Sequence, residues 1–355
     1  MLERGAMPGS IREMQEDLEE RTLHPRAARS ARSRGRERPE DPDDERPVFQ
    51  RDRDRILHCK AFRRLAGKTQ VFLAPRGDHY RTRLTHTLEV AQVGRSLARA
   101  LRLNEMLVEA MVMGHDLGHT PFGHAGETAL NEIAEGGFHH VVQSIRVVEV
   151  LENDGRGLNL TAEVRDGILR HSKGKGNVLL QGSGAKALTL EAEIVRLADI
   201  IAYVNHDLDD ALRAGLFAES DVPAGIRREL GERHGDRFRR LVHDVLGASD
   251  LDGGGHIQMS DAAHGALLAL RDFLYARVYD NPVVHDEFVK AQRILRDLWT
   301  WCVGDPERFR TRSGVVPREG ETLERAVTDW LSGMTDRFAL ATWEELFVPR
   351  PWGSV

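Results

Sequence analysis

The sequence predicts an all-α protein whose functional residues ride on separate helices. Two observations predict it. From about residue 48 onward, apolar residues recur three and four positions apart, the spacing that gives a helix one buried face. Few stretches show the apolar–polar alternation of a strand.

The elements follow in order. Residues 1–47 read as a flexible segment. Arg, Ser and Pro crowd 21–46, the stretch 40–45 is acidic, and few apolar side chains are available to anchor it. The Arg26 to Arg38 run reads as a basic tail, with a nucleic-acid or subunit contact as the sharper alternative. Phe49, Ile56, Leu57, Phe62 and Leu65 then mark the first helical stripe. Asp78-His79-Tyr80-Arg81-Thr82-Arg83 leads into a helix over 84–101, apolar at Leu88, Val90, Val93, Leu97 and Leu101. Asn104 suits the cap of the next helix, which ends at His115. Gly118, Pro121 and Gly123 break that helix and set the second half of a His-rich segment in a turn. Helical patterns resume over 125–135, 141–152 and 160–170. A Gly-rich loop spans 173–186, and a helix over 190–214 follows. Apolar stripes over 267–278, 288–303 and 323–346 complete the chain. A core over 48–215 and a helical region over 216–355 packed on it is the expected organisation.

Composition narrows the class. With 355 residues and 41% hydrophobic content the chain can bury a substantial core. No apolar run approaches the roughly 18 residues of a membrane span, and Met1 to Gly5 lacks the apolar stretch of a secretory signal. Two cysteines, Cys59 and Cys302, exclude a disulfide framework or a cysteine zinc site. A cytoplasmic protein is expected. The formal net charge of −6 speaks against a dedicated nucleic-acid binder, which leaves nucleic acid as a secondary partner.

The densest chemistry lies in His115-Asp116-Leu117-Gly118-His119-Thr120-Pro121-Phe122-Gly123-His124-Ala125-Gly126-Glu127. An adjacent His-Asp pair offers a neutral nitrogen and an anionic oxygen from one turn. With His86 upstream and Asp199 downstream, four ligands are available to one divalent cation. This mixed set suits Mn²⁺, Fe²⁺, Co²⁺ or Ni²⁺ and could serve Zn²⁺, Mg²⁺ being less at home with the imidazoles; Mn²⁺ is the expected ion. The apolar run before His115 and the one around Asp199 bury both carboxylates, and a cation is one way to satisfy them. For Asp199 the alternative partner is Arg196. His119, His124 and Glu127 fall outside this set and suit proton transfer, His124 and Glu127 facing one way if a helix restarts near Gly123. A cap or turn role is the alternative for both. Arg81 and Arg83, just before His86, suit phosphate oxygens, though solvated arginines would look the same. Tyr203 and Asp207, one and two turns beyond Asp199, suit a sugar near the metal. Asp209 and Asp210 read as a solvated acidic face.

The order His86, His115-Asp116, Asp199 resembles the HD-domain metal phosphohydrolases, and within them the bacterial deoxyguanosine triphosphate triphosphohydrolase-like (dNTPase) proteins. The resemblance rests on Ser33-Arg34-Gly35-Arg36-Glu37, Phe49 through Arg55, Phe62-Arg63-Arg64-Leu65, Lys68-Thr69-Gln70-Val71-Phe72 and Tyr80 through Thr87. It continues in His115 through Glu127, Gly157 through Thr161, Ile168-Leu169-Arg170-His171-Ser172 and Gly333-Met334-Thr335-Asp336-Arg337. It implies hydrolysis of a deoxynucleoside triphosphate to deoxynucleoside and tripolyphosphate. It further implies that His124, supported by Glu127, handles a proton with His119 alongside, and that Arg83 and Lys68 steady the triphosphate. Gln70, Tyr203 and Asp207 would meet the deoxyribose, and His140 would lie at the substrate. A homo-oligomer and a nucleotide effector are also implied. Two departures stand out: Val141 and Val142 follow His140, and Ile200 follows Asp199, where the family often carries polar or basic residues. Rival readings are an HD phosphohydrolase of another nucleotide, a weakly active nucleotide-binding regulatory protein, and a single-stranded nucleic-acid binder using the N-terminal arginines.

Overall fold

The computed structural model describes residues 9–70, 81–172, 187–253, 255–279 and 281–350. Val71, Phe72, Asp78, His79, Tyr80 and the Gly-rich loop 173–186 lie outside the described residues. Among the described residues the fold is all-α. The extended pairing found there is three isolated bridges, Arg36 with Thr161, Thr69 with Thr82 and Asp250 with His256. No helix among them is long and apolar enough to cross a membrane.

The first helix, α1 (Ile11–Thr22), lies in the segment expected to be flexible, and that expectation is corrected. Arginine side chains tie this segment down alongside the buried Ala27. Arg29 Nη1 donates to the carbonyls of His24 and Ala27 at 3.2 and 2.8 Å. Arg36 Nη1 donates to the buried Asp52 carboxylate and to the Asn159 carbonyl. A charged donor on a buried carboxylate orders backbone as firmly as a small apolar anchor does, but leaves no periodic trace.

Helix α2 (Val48–His58) follows, then α3 (Arg83–Ala100), α4 (Glu105–His115), α5 (Gly123–Ile133) and α6 (His140–Arg146). Helix α7 (Ala162–Arg170) precedes the long α8 (Leu190–Arg213). Thr82 caps α3 through a mutual box with Thr85, and Asn104 Oδ1 accepts from Leu107 N at 3.1 Å to cap α4. Helix α4 sits at the centre: α2, α3, α7 and α8 all pack on it, through Met111, Val112, Ile168, Val195 and Leu197 among others. The approach of α7 is close enough to demand glycine. A Cβ on Gly114 would meet Ile168 Cδ1 at 2.4 Å, so only glycine lets the end of α4 meet the end of α7. That contact sets His115 beside His171, ring centroids 4.9 Å apart.

The C-terminal part adds α9 (His234–Ala248), α10 (Asp261–Leu274), α11 (Pro282–Gly304), α12 (Leu323–Ser332) and α13 (Asp336–Phe347). The expected stripe over 323–346 is two helices, because Gly333-Met334-Thr335 breaks it and Thr335 caps the second. One apolar cluster joins Ala27 through Val278, so the core does not break at the expected boundary near 215; Ala211 and Phe217 share it. A second cluster packs α5 against α11, α12 and α13 through Phe122, Leu130, Leu295 and Leu331.

Candidate metal and catalytic centre

Helices α3, α4, α7 and α8 deliver His86, His115-Asp116, His171 and Asp199 to one buried point. His86, His115 and Asp116 offer atoms within 4.8 Å of one another, and so do His115, His171 and Asp199. Local chemistry decides which nitrogens face inward. His115 Nδ1 lies 2.6 Å from the Val112 carbonyl, three residues back. The end of a helix leaves such carbonyls without an amide partner, and a carbonyl can only accept. Nδ1 therefore carries the hydrogen and Nε2 is bare. His171 repeats the device on Ile168 O at 2.7 Å.

The bare nitrogens face carboxylates rather than donors. His115 Nε2 is buried without a hydrogen-bond partner, 3.4 Å from Asp116 Oδ1 and 3.8 Å from Asp199 Oδ1. His86 Nε2 lies 3.2 Å from that same Asp199 oxygen. Converging lone pairs repel unless a cation or proton lies among them. The donor set, two or three imidazoles and two carboxylates, fits a divalent cation. Arg196, the alternative partner for Asp199, does not take that place; His86 and His115 do.

Asp116 links this cluster to a second one. Its Oδ1 lies 3.2 Å from His119 Nε2, and the His119 ring stacks on His140 with centroids 4.0 Å apart. Glu127 Oε1 accepts from His140 N at 2.9 Å and lies 2.9 Å from His140 Nδ1. The expected His124–Glu127 pairing is present but looser, at 3.9 Å, and the His124 side chain is 46% exposed. Glu127 thus serves both histidines, with His140 the closer partner. Arg83 Nη1 donates to Asp116 Oδ2 at 2.8 Å, with both side chains buried. Arg83 Nε is buried without a partner.

Two residues expected to meet phosphate are committed elsewhere. Lys68, fully buried, donates through Nζ to the His119 carbonyl and to the Ser332 carbonyl, the latter at 2.8 Å. Burial lowers its ammonium to about 7. Arg81 is held by Asp210 at 2.8 Å, Glu89 at 3.2 Å and Asp209 at 3.4 Å. Asp209 and Asp210 are therefore its counter-ions and not merely a solvated face. Both placements have one cause: a cation near a site in sequence takes the nearest buried acceptors in space. Gln70 is buried and its Oε1 has no partner, so an acceptor stands open there. Asp207 is buried and Tyr203 partly buried on α8.

The turn carrying His119 is strained and braced. Phe122 adopts φ +63° and Gly123 φ +55° at the start of α5. A bulky residue in the left-handed region costs about 1–3 kcal/mol and persists only where neighbours hold it. Asp336, at the start of α13, accepts from Phe122 N at 2.9 Å and from Thr69 N at 2.9 Å.

Electrostatics keep the centre in one ionic form. Burial pushes the Asp116 carboxyl up, but His115, His119 and Arg83 outweigh it and hold it well below the usual range. Asp199 likewise falls to about 2, burial being overcome by His86, His115 and His171. His119 lies well below its ordinary value through burial, Arg83 and His140. Burial lowers His171 and His206 to about 4 each. Their unfolded value is about 6.5, so below that pH the unfolded chain binds protons the folded one refuses. Stability is complete above the unfolded value and declines as pH falls towards 4. For the metal-stripped protein the expected loss is about 2 kcal/mol per imidazole by pH 5. Urea midpoints at pH 7 and pH 5 check it, and equal midpoints would refute neutral burial.

Sequence reasoning missed His171, His206 and Glu89 as parts of the site. His171 was legible in principle, since it sits at the end of its helix as His115 does.

The HD domain family matches residues 83–204, and a phosphohydrolase-associated domain matches 257–345. With the His/Asp cluster, that match defines a hydrolase of the HD class, a class that holds divalent cations. The chain is 51% identical over 96% of its length to a deoxyguanosinetriphosphate triphosphohydrolase-like protein of Desulfatibacillum aliphaticivorans, covering 99% of that protein. Proteins of the same description from Caldanaerobacter subterraneus subsp. tengcongensis and Clostridium tetani are 50% and 43% identical. Each match spans 96% of this chain and 97% of the relative. The chain belongs to the deoxyguanosinetriphosphate triphosphohydrolase-like family.

Proposed function

We propose that this enzyme hydrolyses deoxynucleoside triphosphates to deoxynucleoside and tripolyphosphate. The observation that carries the reading is Asp116, shared between a cation-shaped cluster and a histidine–glutamate network in a chain about half identical to proteins of that description. His86, His115, Asp116 and Asp199 would hold one divalent cation, Mn²⁺ foremost. Such an ion supplies Lewis-acid polarisation of the α-phosphate and lowers the pKa of bound water.

The chain's own groups do the rest. A water oxygen bonds to the α-phosphorus while the bond from phosphorus to the 5′-oxygen breaks, and the departing oxygen takes up a proton. Glu127, whose carboxyl is held far below its usual range chiefly by His124 and His140 against the opposing effect of burial, stays anionic throughout. It orients both imidazoles. His124 moves the proton at its imidazole, with neutral His119 alongside. Arg83, anchored on Asp116, keeps Nε free for a phosphate oxygen. Gln70, Tyr203 and Asp207 meet the deoxyribose, the Gln70 oxygen accepting from a sugar hydroxyl.

Ion-exchange chromatography of each dNTP, singly and mixed, incubated with the protein and Mn²⁺ or Mg²⁺ tests this. Free deoxynucleoside with tripolyphosphate is the expected product pair. Deoxynucleoside monophosphate with pyrophosphate, or no product in any combination, would overturn the reading.

A further inference from the structure

Glu89 and His206 take no part in the proposed reaction, yet they control the environment of His86. The His206 side chain is fully buried, and its Nδ1 lies 3.3 Å from His86 Nδ1, the two rings nearly perpendicular at 85°. His206 Nε2 lies 2.6 Å from a Glu89 carboxylate oxygen, an ion-pair contact without hydrogen-bond alignment. Glu89 stands three residues after His86 on α3, so the two face the same way along the helix. Arg81 Nε lies 3.2 Å from Glu89 and steadies it as an anion.

Metal binding through His86 Nε2 admits one proton arrangement along this line, with the His86 hydrogen on Nδ1. With that hydrogen on His86 Nδ1, the facing His206 Nδ1 is bare and its own hydrogen sits on Nε2, on the Glu89 side. Two facing Nδ1 atoms can share one hydrogen, here that of His86. A neutral His86 with hydrogen on Nδ1 turns a bare Nε2 towards Asp199. We propose that Glu89 and His206 form a positioning pair that sets the tautomer and ring orientation of His86 for metal binding. The proposal rests on the reading of His86, His115, Asp116 and Asp199 as metal ligands.

His86 needs this help because of its place in the fold. His115 and His171 lie at helix ends, where a free carbonyl three residues back fixes the ring. His86 lies in the first turn of α3. The carbonyl of Thr82 already accepts from His86 N, and that of Arg83 from Thr87 Oγ1. The required acceptor comes instead from α8. Outer partners of metal-bound imidazoles act in this way, and their loss weakens metal affinity by about 10–100-fold.

Calorimetric titration of Mn²⁺ into the metal-stripped full-length protein tests the pair. Glu89→Ala and His206→Phe should each weaken binding about 10–100-fold, and the double variant should bind no worse than either single one, because the two act in series. Glu89→Gln should recover most of the loss, since the amide oxygen still accepts. Arg81 keeps Asp209 and Asp210 in the Glu89 variants, and Glu89 is 40% exposed, which favours folding. His115→Ala separates the two readings. If it binds Mn²⁺ like the unaltered protein, the metal-site reading itself fails. If it abolishes binding while Glu89→Ala and His206→Phe bind normally, or lose affinity additively, the positioning pair is overturned.

Discussion

Replacing His115 by alanine is expected to abolish metal binding and hydrolysis together, with turnover lowered by about a thousand-fold or more. The imidazole is fully buried, its Nδ1 is committed to the Val112 carbonyl, and its Nε2 faces both candidate carboxylates. Alanine removes a ligand whose orientation is already fixed. No neighbouring side chain on α4 can substitute, because Gly114 precedes it and Asp116 is already in use. A metal contribution of several kcal/mol to transition-state stabilisation corresponds to roughly three decades in rate. Metal content of the purified variant and single-turnover assays check both halves. A variant that binds no metal but retains a tenth of the activity would sink the assignment.

Glu127→Ala should separate proton handling from metal binding. Turnover is expected to fall by about 10²–10³-fold, the range for a positioned acid–base group, while metal content stays unchanged. Glu127 is the joint of the second network: it accepts from the His140 backbone, pairs with the His140 ring, and lies 3.9 Å from His124. Without it both imidazoles lose the carboxylate that orients them. The His140 amide also loses its acceptor, which adds a stability loss of about 1–3 kcal/mol. Activity within threefold of the unaltered enzyme would show that Glu127 only caps a turn.

Most of the helical framework was legible in the residues. The spacing around Val90, Leu97, Met111 and Val112, and the cap signal at Asn104, announce α3 and α4 to within a residue or two. The His115-Asp116 pair announced itself by density. The N-terminal segment was misread because Arg29 and Arg36 bind carbonyls and a buried Asp52, contacts with no period to detect. Lys68 and Arg81 have partners in the fold that the sequence does not reveal, for a related reason. Their neighbourhood in sequence suggested phosphate, whereas Ser332, Asp209 and Asp210 reach them only in the folded chain.

The division follows the range of the forces involved. The sequence by itself determined the all-α class, the helix starts, and the ring orientation of His115, because each depends on atoms within one turn. Tertiary structure alone decided which cations were consumed by structure, that His140 rather than His124 lies closer to Glu127, and which nitrogen of His86 faces inward. That last choice is made by His206, 120 residues away. Hydrogen bonds and ion pairs act over a few ångströms but between any two points of the chain, so their partners are known only once the helices have packed.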